Sequence, residues 1–168
     1  MTKFDFNKVA LQKAQEGEAT LDNYFSKWYT IQNVTMAFQK RGIDRIFLAK
    51  VPEPTPMAVE YKIDYRARQT GNAYIETVAW DDGSRSKKGW AYTCEADVLA
   101  YCNNFEILLL EPLVLRPYLE QWQQKYRTVI VPNVGFNGEG LLIPWRTVKH
   151  IAFKALNCEG IQTWDTKN

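Results

Sequence analysis

Two short runs of alternating residues, separated by prolines, place the strongest constraint on how this chain can fold. Residues 43–49 and residues 59–64 alternate in the way that side chains alternate across a β-strand. Between them stand Pro52, Pro54 and Pro56, and proline cannot extend a strand ladder. The two runs therefore predict neighbouring strands joined by an irregular loop.

A helix and one more strand are predicted before these runs. Apolar residues recur at helical spacing over residues 7–29, with Gly17 as a point where the helix can break or kink. Alternation over residues 31–39 predicts a strand, and residues 40–42 (Lys-Arg-Gly) predict a turn. We therefore expect a helix followed by a three-stranded antiparallel meander.

The second half of the chain alternates element types. Strands are predicted at residues 73–80, 105–111, 128–131 and 140–144, and helices at residues 93–102, 115–126 and 147–156. Loops are predicted at residues 81–84 and at residues 135–140, the second being either a flexible lid or a dimer arm. We expect one domain over residues 1–168, of α/β (α+β) class, with a mixed central sheet flanked by helices.

Composition argues against several classes of protein. The chain is 46% hydrophobic and 24% charged, as is ordinary for a soluble globular protein, and its longest apolar runs are strand-sized. The first residues contain no apolar core of the kind found in signal peptides. Three cysteines without CxxC spacing predict reduced thiols in a cytoplasmic protein, and the short apolar runs predict no membrane partner.

The chemistry-bearing constellation consists of Asp44, Glu60 and Lys62. Glu60 and Lys62 are two residues apart in a predicted strand, so their side chains share a face, and Asp44 falls on the neighbouring strand. Two carboxylates can hold Mg²⁺ or Mn²⁺, which neutralises a phosphate and acidifies a bound water. A lysine on the same face can orient or deprotonate that water. The chain has one histidine, so a carboxylate–lysine site fits its residues better than an imidazole site.

A purely structural interpretation of the same residues stays open. Same-face Glu and Lys pairs are common on the solvated face of an edge strand, and Asp44 could simply finish the turn before it. Residues 70–72 (Thr-Gly-Asn) have the composition of an ordinary turn, because Gly and Asn tolerate positive φ.

The spacing of these residues resembles a known signature. Residues 42–44 (Gly-Ile-Asp), followed by residues 60–62 (Glu-Tyr-Lys), resemble the PD-(D/E)xK motif of the restriction-endonuclease-like superfamily, with Ile43 in place of the proline. The likeness continues in residues 70–76 and 88–97, which are similar to segments of small phage and bacterial, or intron-homing, nucleases of that group. The resemblance implies a restriction-endonuclease-like core.

The resemblance also implies roles for individual residues. Asp44, Glu60 and Lys62 would be catalytic, with Lys62 positioning or activating the attacking water. The implied metal ligands are Asp44, Glu60, the Tyr61 backbone carbonyl and Glu18 of the first helix, with Glu16 and Asp22 as alternatives to Glu18. Glu76 would be either an outer acid of the site or a structural partner of Arg66 and Arg68.

The implied activity is hydrolysis of DNA phosphodiesters by Mg²⁺-activated water, in a homing, restriction-like or phage-related role. Double-stranded DNA is the expected partner, and cleavage of both strands favours a homodimer or higher homo-oligomer. Backbone contacts are expected from basic residues on three loops, which are otherwise simply solubilising: Lys40, Arg41, Arg66, Arg68, Lys87 and Lys88. The alternatives are a junction-resolvase-like or repair nuclease, and a non-catalytic nucleic-acid-binding module that keeps the fold.

Overall fold

The structure is a computed structural model of the 168-residue chain, and it describes residues 6–81, 85–133 and 136–158. Within these ranges the elements are, in chain order, α1 (Phe6–Phe25), β1 (Tyr29–Asn33), α2 (Met36–Gln39), β2 (Arg45–Ala49), β3 (Met57–Ile63), α3 (Ala67–Thr70), β4 (Asn72–Asp81), β5 (Arg85–Lys88), α4 (Trp90–Thr93), β6 (Val98–Cys102), β7 (Glu106–Leu110), α5 (Pro112–Lys125), β8 (Thr128–Asn133), β9 (Phe136–Pro144), α6 (Trp145–Ile151) and β10 (Lys154–Asn157).

The described strands form two sheets. The larger has the order β1-β2-β3-β6-β7-β10, and the smaller has the order β5-β4-β9-β8. In the larger sheet β3 and β6 run parallel, whereas the other described neighbours are antiparallel, so this sheet is mixed. The expected meander is confirmed as β1-β2-β3, and the α+β class with a mixed central sheet flanked by helices is confirmed with it.

The larger sheet is covered on both faces. Leu21 and Phe25 of α1 pack on one face, against Phe47, Val59 and the neighbouring side chains of the sheet. The smaller sheet and α5 cover the other face, where they form a second apolar cluster with β6 and β7. Each face of the sheet therefore contributes to its own core.

β6 corrects the helix predicted at residues 93–102. The short helix α4 ends at Thr93, and residues 98–102 form a strand that is buried along its whole length. Val98, Ala100 and Cys102 face the α1 cluster, while Leu99 and Tyr101 face the second cluster. A strand that is buried on both faces has no polar alternation, so its apolar run looks like a buried helix in sequence.

The beginning of the chain contains two further corrections. The helix predicted over residues 7–29 ends at Phe25, passes Gly17 without a break, and gives way to β1 at Tyr29. The strand predicted over residues 31–39 ends at Asn33, and residues 36–39 form a helical turn. Met36 and Phe38 are exposed, so their alternation does not report a buried face.

The end of the chain contains the remaining corrections. The helix predicted over residues 147–156 is shorter, because α6 ends at Ile151 and β10 pairs with β7 at the edge of the sheet. The lid or arm predicted at residues 135–140 is instead strand β9 from Phe136 onward, paired with β4 and β8. Gly135 and residues 82–84 of the other predicted loop lie outside the described residues.

The other predicted elements agree with the structure to within a few residues, namely β2, β3, β4, β7, α5 and β8. Cys94, Cys102 and Cys158 are buried free thiols, as predicted. Among the described helices, none has both the length and the apolar character needed to cross a membrane.

Candidate functional site

Asp44 lies at the point where β2 begins to pair with β3. Its backbone N–H donates to the carbonyl of Val59 at 2.9 Å, and its Oδ2 accepts the backbone N–H of Tyr61 at 2.9 Å. The ladder between the two strands starts with Arg45 opposite Val59. The Asp44 side chain therefore replaces the backbone of β2 as the partner of β3 at this level.

The turn before Asp44 depends on Gly42. Gly42 has a φ of +71°, a conformation that L side chains rarely adopt. A Cβ on Gly42 would also lie 3.0 Å from the Cα of Cys94. The Cys94 thiol donates to the Gly42 carbonyl at 3.3 Å, which fastens the turn to the segment after α4. Gly42 thus allows the close approach that positions Asp44.

Glu60 and Lys62 project from the same face of β3, as the sequence predicts. Glu60 is 4% exposed, and its Oε1 forms an ion pair with the Lys62 ammonium. The other carboxylate oxygen, Oε2, is buried and has no hydrogen-bond partner among the described residues. The Lys62 side chain is 29% exposed, and its ammonium lies 5.7 Å from the centre of a Trp90 ring. A buried carboxylate with one unpartnered oxygen has capacity for a further ligand.

Burial and charge shift the pKa values of this pair. Burial raises the pKa of Glu60 to about 7. The Lys62 charge opposes this shift. The Asp44 carboxylate supports it, because it repels a second negative charge and can accept a hydrogen bond from Glu60 when Glu60 is protonated. Burial by itself would lower the pKa of Lys62, but the Glu60 and Asp44 carboxylates raise it above its usual value. Lys62 is therefore cationic at neutral pH, and Glu60 holds its proton more strongly than an exposed carboxyl group does.

The Tyr61 backbone carbonyl faces the Asp44 side of β3. Successive residues of a strand direct their backbone groups to alternate edges. Ala58 and Asp64 hydrogen-bond with Asp97 and Cys102, on the β6 side, whereas Tyr61 donates to Asp44. The carbonyl of Tyr61 therefore points to the edge where the Asp44 carboxylate lies, and it is placed to act as a ligand together with that carboxylate.

The acidic residues of α1 lie on the opposite face of the sheet. Arg45 forms salt bridges of 3.0 Å with both Glu18 and Asp22, and the Tyr61 hydroxyl donates to Asp22 at 2.9 Å. Arg45 and Tyr61 alternate with Asp44 and Glu60 along their strands, so their side chains project to the α1 side. Glu16 accepts a hydrogen bond from Gln12 in an exposed position. The structure does not bring these three acids to Asp44 and Glu60.

Asp44, Glu60 and Lys62 form the candidate trio, and Glu76 lies nearer to it than its sequence position suggests. Its carboxylate interacts with the charge of Lys62 and accepts the backbone N–H of Trp90, while burial raises its pKa. A Cβ on Gly138 would lie 2.7 Å from Glu76 Oε2, so a glycine at this position makes room for the carboxylate. Lys62 thus forms an ion pair with Glu60 and also interacts electrostatically with Glu76. The similarity of residues 70–76 to nuclease segments is the sequence signal that points to Glu76.

The basic residues predicted to lie on three loops belong in part to regular structure, because Arg68 lies in α3 and Lys87 and Lys88 lie in β5. They are distributed unevenly around the site. Arg66 lines a cleft together with Lys62, whereas Arg41 is paired with Glu95 at 2.7 Å. Arg68 stacks on Phe105 at 3.5 Å. Lys40, Lys87 and Lys88 are exposed. Of the described basic side chains predicted to contact DNA, Arg66 is therefore the one that shares a cleft with Lys62.

The oxygen donors at this site are of a kind that suits a small hard cation, although only two of them are carboxylates. Asp44, Glu60 and the Tyr61 carbonyl supply oxygen donors of the kind that Mg²⁺ and Mn²⁺ accept. In the part of the chain that the structure describes, no group of three or more His, Cys, Asp or Glu side chains is placed to hold a metal ion. A cation here would complete its coordination with water or phosphate oxygens, as Mg²⁺ commonly does.

Comparison of the chain with protein-family models, with curated protein sequences and with solved structures gave no match.

Proposed function

We propose that this protein is a metal-dependent endonuclease that hydrolyses DNA phosphodiesters at Asp44, Glu60 and Lys62. The observation that carries the proposal is Oε2 of buried Glu60, which lacks a hydrogen-bond partner within the described part of the chain and lies on the same face as Lys62, next to the Asp44 carboxylate. Burying a carboxylate in this way is costly, and a bound cation would remove the cost. The resemblance of these residues to the PD-(D/E)xK signature supports the same activity.

Each residue of the trio has a distinct part in this chemistry. Asp44, Glu60 and the Tyr61 carbonyl would hold Mg²⁺ or Mn²⁺, which supplies charge neutralisation and an acidified water when bound. Lys62 is cationic and partly exposed, so it can donate to a non-bridging phosphate oxygen and stabilise the charge that develops there. The Glu76 carboxylate also interacts with the charge of Lys62 and so places a second acidic group near the ammonium.

Nicking of supercoiled plasmid tests the proposal. The protein is incubated with the plasmid in Mg²⁺, in Mn²⁺ and in chelator, and compared with Asp44→Asn and Lys62→Met. We expect metal-dependent nicking by the wild type and a loss of about 10²–10⁴-fold in each variant, the range for removal of a group that acts in the transition state.

Lys149→Met provides the matched control. Lys149 forms an ion pair with Glu106 on α6 and β7, away from the trio, so its removal also takes one lysine from a Glu–Lys pair. This variant should nick as the wild type does. Nicking that survives both Asp44→Asn and Lys62→Met would refute the site, and a wild type that is inactive with either metal would refute the activity.

A non-catalytic nucleic-acid-binding module is the second candidate. It is favoured by the direct pairing of Lys62 with Glu60 and by the small number of acidic ligands in the described residues. Such a protein would bind DNA in chelator and leave the plasmid intact in both metals, so the same assay separates the two functions. Junction-resolving and repair roles differ from the proposed one in the DNA structure that is cut.

A further inference from the structure

An open cleft of about 600 Å³ adjoins the trio, and Lys62 lines both. The end of β3 and α3 contribute its polar lining, and β8 and β9 contribute apolar side chains. The residues that matter below are Lys62, Arg66, Trp90, Val129, Ile130 and Leu142. The volume lies within the range of about 300–1,000 Å³ that is typical of small-molecule sites.

Basic side chains outnumber acidic ones among the described residues that line this cleft. Asp64 is the acidic residue among its described lining residues, and both of its oxygens are occupied. Oδ1 accepts the backbone N–H groups of Arg66 and Ala67 at 3.0 and 2.9 Å, while Oδ2 accepts the Tyr74 N–H and the Tyr101 hydroxyl at 2.9 and 3.0 Å. The Asp64 oxygens thereby connect α3, β4 and β6. Lys62 and Arg66 are the cationic side chains among the described lining residues, and Lys62 is 29% exposed although it is also paired with Glu60.

The rest of the lining is suited to a flat apolar group. Trp90 is partly buried beside Lys62, and Val129 and Leu142 supply aliphatic surface. Ile130 on β8 is 56% exposed, so its side chain is accessible at the border of the cleft. A ligand that combines an anionic group with an aromatic ring matches two cations beside an apolar slot. A nucleotide has that combination.

We propose that this cleft holds one unpaired nucleobase of the DNA strand whose phosphate lies at Lys62. This inference rests on the proposed function and names its substrate class, which is DNA that presents an unstacked nucleotide next to the scissile phosphate. A base in a regular duplex is stacked and paired, so it cannot enter a cleft of this kind without being extruded.

Binding measured in chelator tests the inference apart from cleavage. Fluorescence anisotropy compares a labelled 16-nucleotide single strand, the same strand with abasic sites at its centre, the matched duplex, and a duplex with one central mismatch. The wild type should bind the base-bearing single strand at least about tenfold more tightly than the abasic strand, since stacking of a base contributes at this level. If a base extruded from a duplex can also enter the cleft, the mismatched duplex should bind more tightly than the matched duplex.

Ile130→Asp should remove the preference for base-bearing DNA, because it places a carboxylate in the apolar part of the cleft. Val51→Asp is the matched control, since Val51 is also 56% exposed and lies in the loop between β2 and β3. Equal affinity for base-bearing and abasic strands, or a preference that Ile130→Asp leaves intact, would overturn the inference. If the wild type nicks plasmid without this preference, the cleft inference alone fails. If the preference is present but nicking is absent, the proposed activity fails instead.

Discussion

The two faces of strands β2 and β3 both carry charged side chains, but these side chains differ in how they are paired. On the α1 face, Arg45 pairs with Glu18 and Asp22, and the Tyr61 hydroxyl donates to Asp22. On the other face, Glu60 is buried next to Asp44 and Lys62, and residues 6–81, 85–133 and 136–158 supply no hydrogen-bond partner for its Oε2. The residues of the two groups alternate along the same strands, so one β-ladder positions both.

This difference separates a structural ion-pair network from a candidate site. The α1 network gives each of its two carboxylates a direct bond to the Arg45 guanidinium at 3.0 Å. In the Asp44–Glu60 pair, two carboxylates face each other and burial raises the pKa of Glu60. Perturbed groups of this kind gather at functional sites because binding or catalysis compensates for their cost.

Removal of Arg45 should produce the largest loss of stability. Arg45 is 7% exposed, and Arg45→Met would leave Glu18 and Asp22 close together without a cation. We expect the free energy of unfolding in urea to fall by about 3–5 kcal/mol. Arg41→Met is the control, because the Arg41–Glu95 pair is about half exposed and should contribute less than about 1 kcal/mol. Equal effects of the two substitutions would mean that the α1 network is not structural.

The next largest effect should be a pH dependence on the opposite face. The pKa of Glu60 is raised from 4.5 to about 7, so the folded state binds more protons than the unfolded state between these values. In chelator, stability should therefore fall as the pH rises from 4.5 through 7, by about 3 kcal/mol in total for this group. Glu60→Gln should lack this part of the pH dependence. Parallel stability curves for the two proteins would contradict the pKa shift.

A divalent cation should offset the cost of the charged site. At about 100 times its dissociation constant, Mg²⁺ or Mn²⁺ should stabilise the wild type by about 2–3 kcal/mol at pH 8, seen as a rise in Tm that chelator reverses. Asp44→Asn should lose most of this rise, whereas Asp22→Asn should keep it, because Asp22 lies on the other face. A rise of the same size in both variants would place the cation elsewhere.

The smallest expected effect comes from the Tyr61 hydroxyl. Tyr61→Phe removes its hydrogen bond to Asp22 and should cost about 1 kcal/mol in urea unfolding. The backbone N–H and carbonyl that face Asp44 are unchanged by this substitution. Plasmid nicking should therefore stay at the wild-type level. A large fall in nicking at full folding would show that the two faces are coupled.

Local sequence patterns predicted the elements whose apolar residues recur at a clear period. β2 has the alternating burial that its sequence indicates, and α5 has its apolar stripe with Leu115, Leu119 and Trp122 buried. The same patterns were wrong for residues 93–102, because the strand there is buried on both faces. They were also wrong for residues 36–39, where the alternating apolar residues are exposed. Periodicity reports which face is buried, so it does not separate a strand from a helix where both faces are buried, as in β6. β7 is also buried on both faces and was predicted correctly, because its short apolar run has the length of a strand.

Sequence predicted some side chains of the candidate site and not others, because local geometry places some of them and tertiary packing places the rest. Glu60 and Lys62 are two residues apart in one strand, so strand geometry alone places them on one face. The choice among Glu16, Glu18 and Asp22 as a ligand depends on where α1 docks, and α1 docks against the Arg45 face. Glu76 belongs to the second sheet, and its proximity to Lys62 follows from the packing of that sheet and α4.

The order of residues along the chain was therefore sufficient for the strand pair that carries Asp44, Glu60 and Lys62, because register and side-chain alternation are local properties. Tertiary packing decided what those residues became. It buried Glu60 and left its Oε2 without a partner among the residues that the structure describes. It also matched the acids of α1 with Arg45 and opened a cleft beside Lys62. Desolvation and charge pairing depend on segments that are distant in sequence, and no local pattern contains that information.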